Sequence, residues 1–79
     1  MTRLALATAA MGAQPTHIDA DGAAWRISGA HAHGARLLAA AAIDRLTQAG
    51  IEYSTLTGPI PTANDVACWL SVDVAAEVR

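Results

Sequence analysis

Thr62-Ala63-Asn64-Asp65-Val66-Ala67-Cys68-Trp69-Leu70-Ser71-Val72-Asp73 is the stretch on which the architecture turns. Thr62 is a fair helix N-cap, and Asp65 three residues on gives an acidic variant of the capping box. The spacing predicts a helix over 63–70 that buries Val66, Trp69 and Leu70. Ser71 offers a second cap, so 72–78 reads as a closing short helix, either separate or continuous with the first through a bend at Ser71. Upstream, Gly58-Pro59-Ile60-Pro61 is a stiff break, since neither proline can donate to a ladder or continue a helix. Before that break Ile51, Tyr53 and Thr55 alternate with Glu52, Ser54 and Leu56, the pattern of a strand.

Further upstream, 31–49 has the period of a helix. Ala35, Leu38, Ala39, Ala42, Ile43, Leu46 and Ala49 fall on one stripe, and Gly50 follows where a left-handed residue stops a helix. Its alanines would let the helix lie close against a sheet. Ala23–Ser28 reads as a strand after the Asp21-Gly22 turn, with Trp25 and Ile27 on one face and Arg26 and Ser28 on the other. Leu4, Leu6 and Thr8 alternate with Ala5, Ala7 and Ala9 as a first strand, although Ala and Leu also favour helix. The order is then β–β–α–β–α–α. This is a single α+β domain over 1–79, with a small three-stranded, mostly antiparallel sheet covered by about three helices.

The 79 residues are 53% hydrophobic, but twenty of them are alanine and none is phenylalanine. A core of this size rarely supplies more than about 3–5 kcal/mol, so a partner is a common support. Five arginines, seven acids and no lysine give a net charge of −2. That excludes a basic nucleic-acid-binding arm, and one cysteine excludes an internal disulfide and a paired-cysteine zinc pattern. No apolar run is long enough to span a membrane. Residues 1–11 resemble a short signal peptide, but the apolar stretch is minimal and broken by Thr8. The cytoplasm is the expected compartment.

Motifs for chemistry are weak. Gly29-Ala30-His31-Ala32-His33-Gly34 has the glycine spacing of a phosphate loop, but Ala35 and Arg36 stand where Lys and Ser/Thr are needed. His31 and His33 are candidate metal ligands to which His17, Asp19 and Asp21 could add more, but nothing in the sequence shows that these two segments meet. Histidines at a helix start more often cap it. Asp19 and Asp21 lie in a turn, where Asp serves the backbone. No enzymatic activity and no cofactor are expected.

Two features remain. In a helix over 63–70, Cys68 points away from Val66 and Leu70, and an exposed thiol can link two chains as a disulfide homodimer. The alternative is a buried, inert cysteine. Charge is also unevenly placed: residues 1–45 carry +1, whereas 46–78 carry −4 from Glu52, Asp65, Asp73 and Glu77. Such an acidic third can face a basic partner, or it can merely solvate a surface and serve helix starts.

The strand Ala23–Ser28, the helix through Leu37-Leu38-Ala39-Ala40-Ala41-Ala42-Ile43 and Val66-Ala67-Cys68-Trp69-Leu70 with its lone thiol together resemble the small phage and prophage anti-CRISPR proteins. Among these the chain looks most like an inhibitor of the type I-C system. The resemblance implies a non-enzymatic protein of the host cytoplasm that binds the Cascade surveillance complex and blocks target DNA binding. The negative patch itself argues against direct nucleic-acid binding, because phosphate contacts need Lys and Arg, and no membrane partner is expected. As a DNA mimic it would use Glu52, Asp65, Asp73 and Glu77, with Asp19 and Asp21 as lesser candidates; steric blocking fits as well. The alternatives are an acidic, dimeric interaction module of antitoxin or assembly type, and a metal or redox protein using His31, His33 and Cys68.

Overall fold

Thr2 opens the first helix, α1 (Arg3–Met11), by accepting the Ala5 N–H on its hydroxyl at 3.0 Å. Gly12 closes it, donating its N–H to Thr8 and Ala9 carbonyls. The computed structural model describes residues 2–74. A strand over Leu4–Ala9 is therefore corrected to a helix. Alanine fits either face of either element, so alternation of Leu with Ala carries no period, and helix propensity together with two good caps decides.

A short hairpin follows, from β1 (His17–Ile18) into β2 (Gly22–Gly29), turned by the Asp19 carboxylate, which accepts the N–H groups of Asp21 and Gly22 at 2.9 and 3.0 Å. Helix α2 (Ala32–Gln48) comes next, as the sequence predicts, and Gly50 after it has a φ of +76°. His31 is its N-cap, with Nδ1 accepting the Gly34 N–H at 3.1 Å. Ala35, Ala39, Ala42 and Leu46 are buried, but Leu38 and Ala49, also expected on that stripe, are exposed. The buried stripe is narrower than the apolar one.

The chain ends in a second hairpin, β3 (Thr55–Pro61) and β4 (Val66–Asp73). Both differ from expectation. The strand placed at 51–56 instead runs through the proline-containing break. That is possible because β3 lies at the sheet edge, where one side needs no donors, and its register shifts between Thr57 and Ile60. Gly58 has a φ of +100°, and a Cβ there would stand 2.7 Å from the Ala67 carbonyl oxygen, so only glycine fits.

The predicted helix over 63–70 is corrected to strand. Val66, Cys68, Leu70 and Val72 recur at period 2, and all four pack under the helices. Thr62 does accept the Asp65 N–H on Oγ1, at 3.1 Å, the bond an N-cap would make. Here the Thr62 N–H also donates to the Asp65 carbonyl, which closes a hairpin turn. The closing helix loses Val72 and Asp73 to β4, and its residues 75–78 lie outside the described residues. The three-strand, three-helix expectation thus gives way to two helices and four strands among the described residues.

The sheet has the order β1-β2-β4-β3, with every neighbouring pair antiparallel. Both helices lie on one face. Ala7 of α1 joins Trp25, Leu46, Ile51, Leu70 and Val72 in the main core, and Trp25 Nε1 donates to the Ala13 carbonyl at 2.9 Å. Close approach is built in at Gly29, where a Cβ would stand 2.8 Å from the Ala35 nitrogen. The largest fully buried side chains are only Leu46, Leu70, Val72 and Cys68.

Candidate interaction face

Since α1 and α2 cover one face of the sheet, alternation leaves the other face open. The register assigns its residues. Cys68, Leu70 and Val72 point to the helices, so Trp69 and Ser71 between them point outward. Arg26 and Thr57 pair with Trp69 from either side, and Ala24 and Thr55 pair with Ser71. Directly opposed residues share a face. The open face is thus a half-buried tryptophan at the centre of the sheet, framed by Thr55 and Thr57 on β3, Ser71 on β4, and Ala24 and Arg26 on β2. The sequence expectation buried Trp69 beside Leu70 on one face of a helix over 63–70; as a strand residue it takes the opposite side from Leu70.

Arg26 and Asp65 close the lower end of this face. The guanidinium meets the carboxylate through two hydrogen bonds, Nη1 to Oδ2 at 2.9 Å and Nη2 to Oδ1 at 2.6 Å. Thr62 Oγ1 donates to the same carboxylate at 2.7 Å. The Arg26 bonds, and then the Thr62 hydroxyl, hold the Asp65 carboxyl below the usual carboxylate range, and Asp65 in turn raises Arg26. Arg26 starts opposite Trp69 and reaches Asp65, so the pair spans the part of β4 that holds Ala67, itself 2% exposed. The other end of the face opens into a shallow cavity of about 180 Å³ lined by His17, Asp19, Asp21, Ser54 and Ser71, among others. The Asp21 and Gly22 N–H groups keep the Asp19 carboxyl low, with a smaller contribution from His17, whose Nε2 is 3.6 Å away.

The acids do not form one array. Asp73 pairs in register with Gly22, so Asp19, Asp21 and Asp73 belong to one end of the sheet. Asp65 lies past the other end of β4, roughly 25 Å away at about 3.3 Å per residue. Arg3 stands at the first end and donates to the backbone carbonyls of Asp73 and Glu52 at 2.8 and 3.2 Å. Glu52 is exposed, and Glu77 lies outside the described residues. Asp65, expected on the acidic surface, already has its own arginine.

Cys68 is corrected in the same way. It is 2% exposed and packs with Ala35 and Ala39 under α2, so the outward-facing thiol and the disulfide-linked dimer it suggested do not fit this fold. The helical phase that exposed it does not exist in a strand. His31 and His33 stack with ring centroids 6.5 Å apart at the exposed start of α2. No group of three or more His, Cys, Asp or Glu that could hold a metal ion occurs among the described residues. No described helix is long and apolar enough to cross a membrane.

Sequence reasoning missed the Arg26–Asp65 bridge and the threonines beside Trp69. Period-2 burial along Val66, Cys68, Leu70 and Val72 was the signal that could have found them. In comparisons with known proteins, no family model, no curated protein and no solved structure matches the chain.

Proposed function

We propose that this chain is a non-catalytic binding protein whose open sheet face seats on a protein partner, and that the partner is the type I-C Cascade complex. The observation that carries the binding reading is Trp69, half-buried at the centre of an uncovered sheet and ringed by hydroxyl and guanidinium groups. Aromatic anchors surrounded by polar groups are the usual make-up of a protein-binding surface. The choice of Cascade rests on the resemblance to small phage inhibitors. Steric blocking of target DNA suits the charge placement better than mimicry, since Asp65 is bound to Arg26 and lies at the opposite end of β4 from Asp73.

The test is co-elution of tagged protein with purified type I-C Cascade at low salt, followed by target-DNA binding of the loaded complex. Wild type is expected to co-elute and to suppress DNA binding. Thr57→Arg places a long charged chain beside Trp69 at an exposed strand position, and is expected to weaken capture about tenfold or more while leaving the fold intact. Absence of wild-type co-elution sinks the Cascade reading. Capture unchanged by Thr57→Arg removes the open face from it.

A further inference from the structure

Residues 2–15 are fastened to the rest of the chain by side chains alone. Among the described residues, no backbone-to-backbone hydrogen bond joins this stretch to the sheet or to α2; the first runs from the Thr16 N–H to the Ala24 carbonyl, at 2.8 Å. Four side-chain hydrogen bonds hold it among the described residues, and each ends on a backbone carbonyl. At the start of α1, Arg3 donates to Asp73 and Glu52 at 2.8 and 3.2 Å. At its end Arg45 Nε donates to Ala10 at 3.1 Å, and Trp25 Nε1 donates to Ala13 at 2.9 Å. The Arg3 and Arg45 bonds are exposed, so water competes for both of their ends.

The packing under α1 is equally light. Ala7 is the only buried residue between 2 and 15, with Leu4, Ala10 and Met11 half-buried beside it. The other seven buried members of the main core come from β2, α2, Ile51 and β4. The second cluster, of Ala35, Ala39 and Cys68, involves no residue of α1. Loss of α1 therefore leaves the core assembled and uncovers the Trp25 indole, which is 3% exposed in the closed form. A nine-residue helix is too short to persist alone in water, so α1 unravels when it leaves.

We infer that residues 2–15 form a strap that undocks and unravels as a unit while α2 and the sheet stay folded. Proteins open in such pieces where few apolar contacts and exposed hydrogen bonds join one part to the rest. Closed, the strap covers the Trp25 indole; open, it releases the indole N–H to water. The strap lies on the helical side of the sheet, so its movement leaves the face around Trp69 untouched. The inference does not rest on the functional reading above. Trp25 itself separates strap opening from the alternatives. Its indole N–H is covered by Ala13 of the strap. Its backbone N–H points toward β4, because the neighbouring Ala24 bonds on the β1 side.

Hydrogen exchange of the full chain, followed by NMR from no urea to about 2 M, reads both groups. The amides of residues 6–12 are expected to be at least about tenfold less protected than those of β2 and β4, with little dependence on urea. The Trp25 indole N–H should share that small urea slope, while the Trp25 backbone N–H shows the full slope of the sheet. Arg3→Ala removes both bonds at the start of α1 and is expected to speed exchange in α1 about tenfold, with circular dichroism checking that the variant stays folded. One common rate and slope for α1 and the sheet would mean that α1 leaves only when the whole protein unfolds. An indole N–H that keeps the slope of the sheet while α1 exchanges fast would mean that α1 frays in place. Exchange in α1 indifferent to Arg3→Ala would mean that those bonds do not fasten it. Any of these three results overturns the inference.

Discussion

Asp65, just before β4, and Cys68, three positions on and within it, have opposite surroundings. Asp65 is half-buried and shared between Arg26 and Thr62, with its carboxyl held low first by the Arg26 hydrogen bonds. A carboxyl whose folded pKa lies below its unfolded value, about 3.9, stabilises the fold fully above that value. The stabilisation is lost as the pH falls through the lower, folded pKa. Asp19 adds to the same trend through the Asp21 and Gly22 N–H groups. Asp65→Asn should therefore be less stable than wild type at about pH 7, and the gap should narrow by about pH 3, as read from urea midpoints at both. Equal midpoints at pH 7 would mean the bridge contributes nothing. Cys68, by contrast, is reached only by opening β4 away from α2. Its reaction with a thiol reagent should be at least about a hundredfold slower in native buffer than in denaturant. Fast native labelling would contradict its burial.

At the scale of elements, α2 was legible and β4 was not, for reasons that lie in particular residues. Helix α2 combines a 3.6-residue apolar period with Gly50 at its end, and no competing pattern fits. In β4 the strand pattern of Val66, Cys68, Leu70 and Val72 overlaps with a helix-like Val66, Trp69, Leu70, and the Thr62–Asp65 turn uses the same hydroxyl-to-N–H bond as a helix cap. Nothing local separates a cap from a hairpin turn; pairing with β2, a partner some forty residues away, does. The candidate face was illegible for the same reason, since Trp69, Thr57 and Arg26 converge only once β4 is placed between β2 and β3. The close seating of α2 on β2 is testable at Gly29. Gly29→Ala would drive a Cβ to within 2.8 Å of the Ala35 nitrogen. It is expected to cost about 1–3 kcal/mol or more, seen as a lower denaturant midpoint. A neutral effect would show that the start of α2 can shift.

For the molecule as a whole, two layers meet across a core in which alanine is the commonest buried residue, and the thinness expected from composition is real. What composition could not convey is that the two faces differ: the helices carry the exposed Leu37 and Leu38, and the sheet carries Trp69 among polar groups. The edges of the sheet complete the picture. On one side β1 is two residues long, and the Arg26 N–H beyond it is taken by Thr16 Oγ1 at 3.0 Å. On the other side Pro61 ends β3. The Thr62 N–H points inward to Asp65, so by alternation position 61 directs its nitrogen outward, where proline has no hydrogen to offer. Pro61→Thr would supply that donor beside the exposed Ile60. It is expected to raise light scattering and amyloid-dye binding on incubation while circular dichroism of fresh protein stays unchanged. No increase would show that the register shift alone protects the edge. A sheet blunted at both borders offers few free backbone donors to an incoming strand, so its geometry works against growth by strand addition.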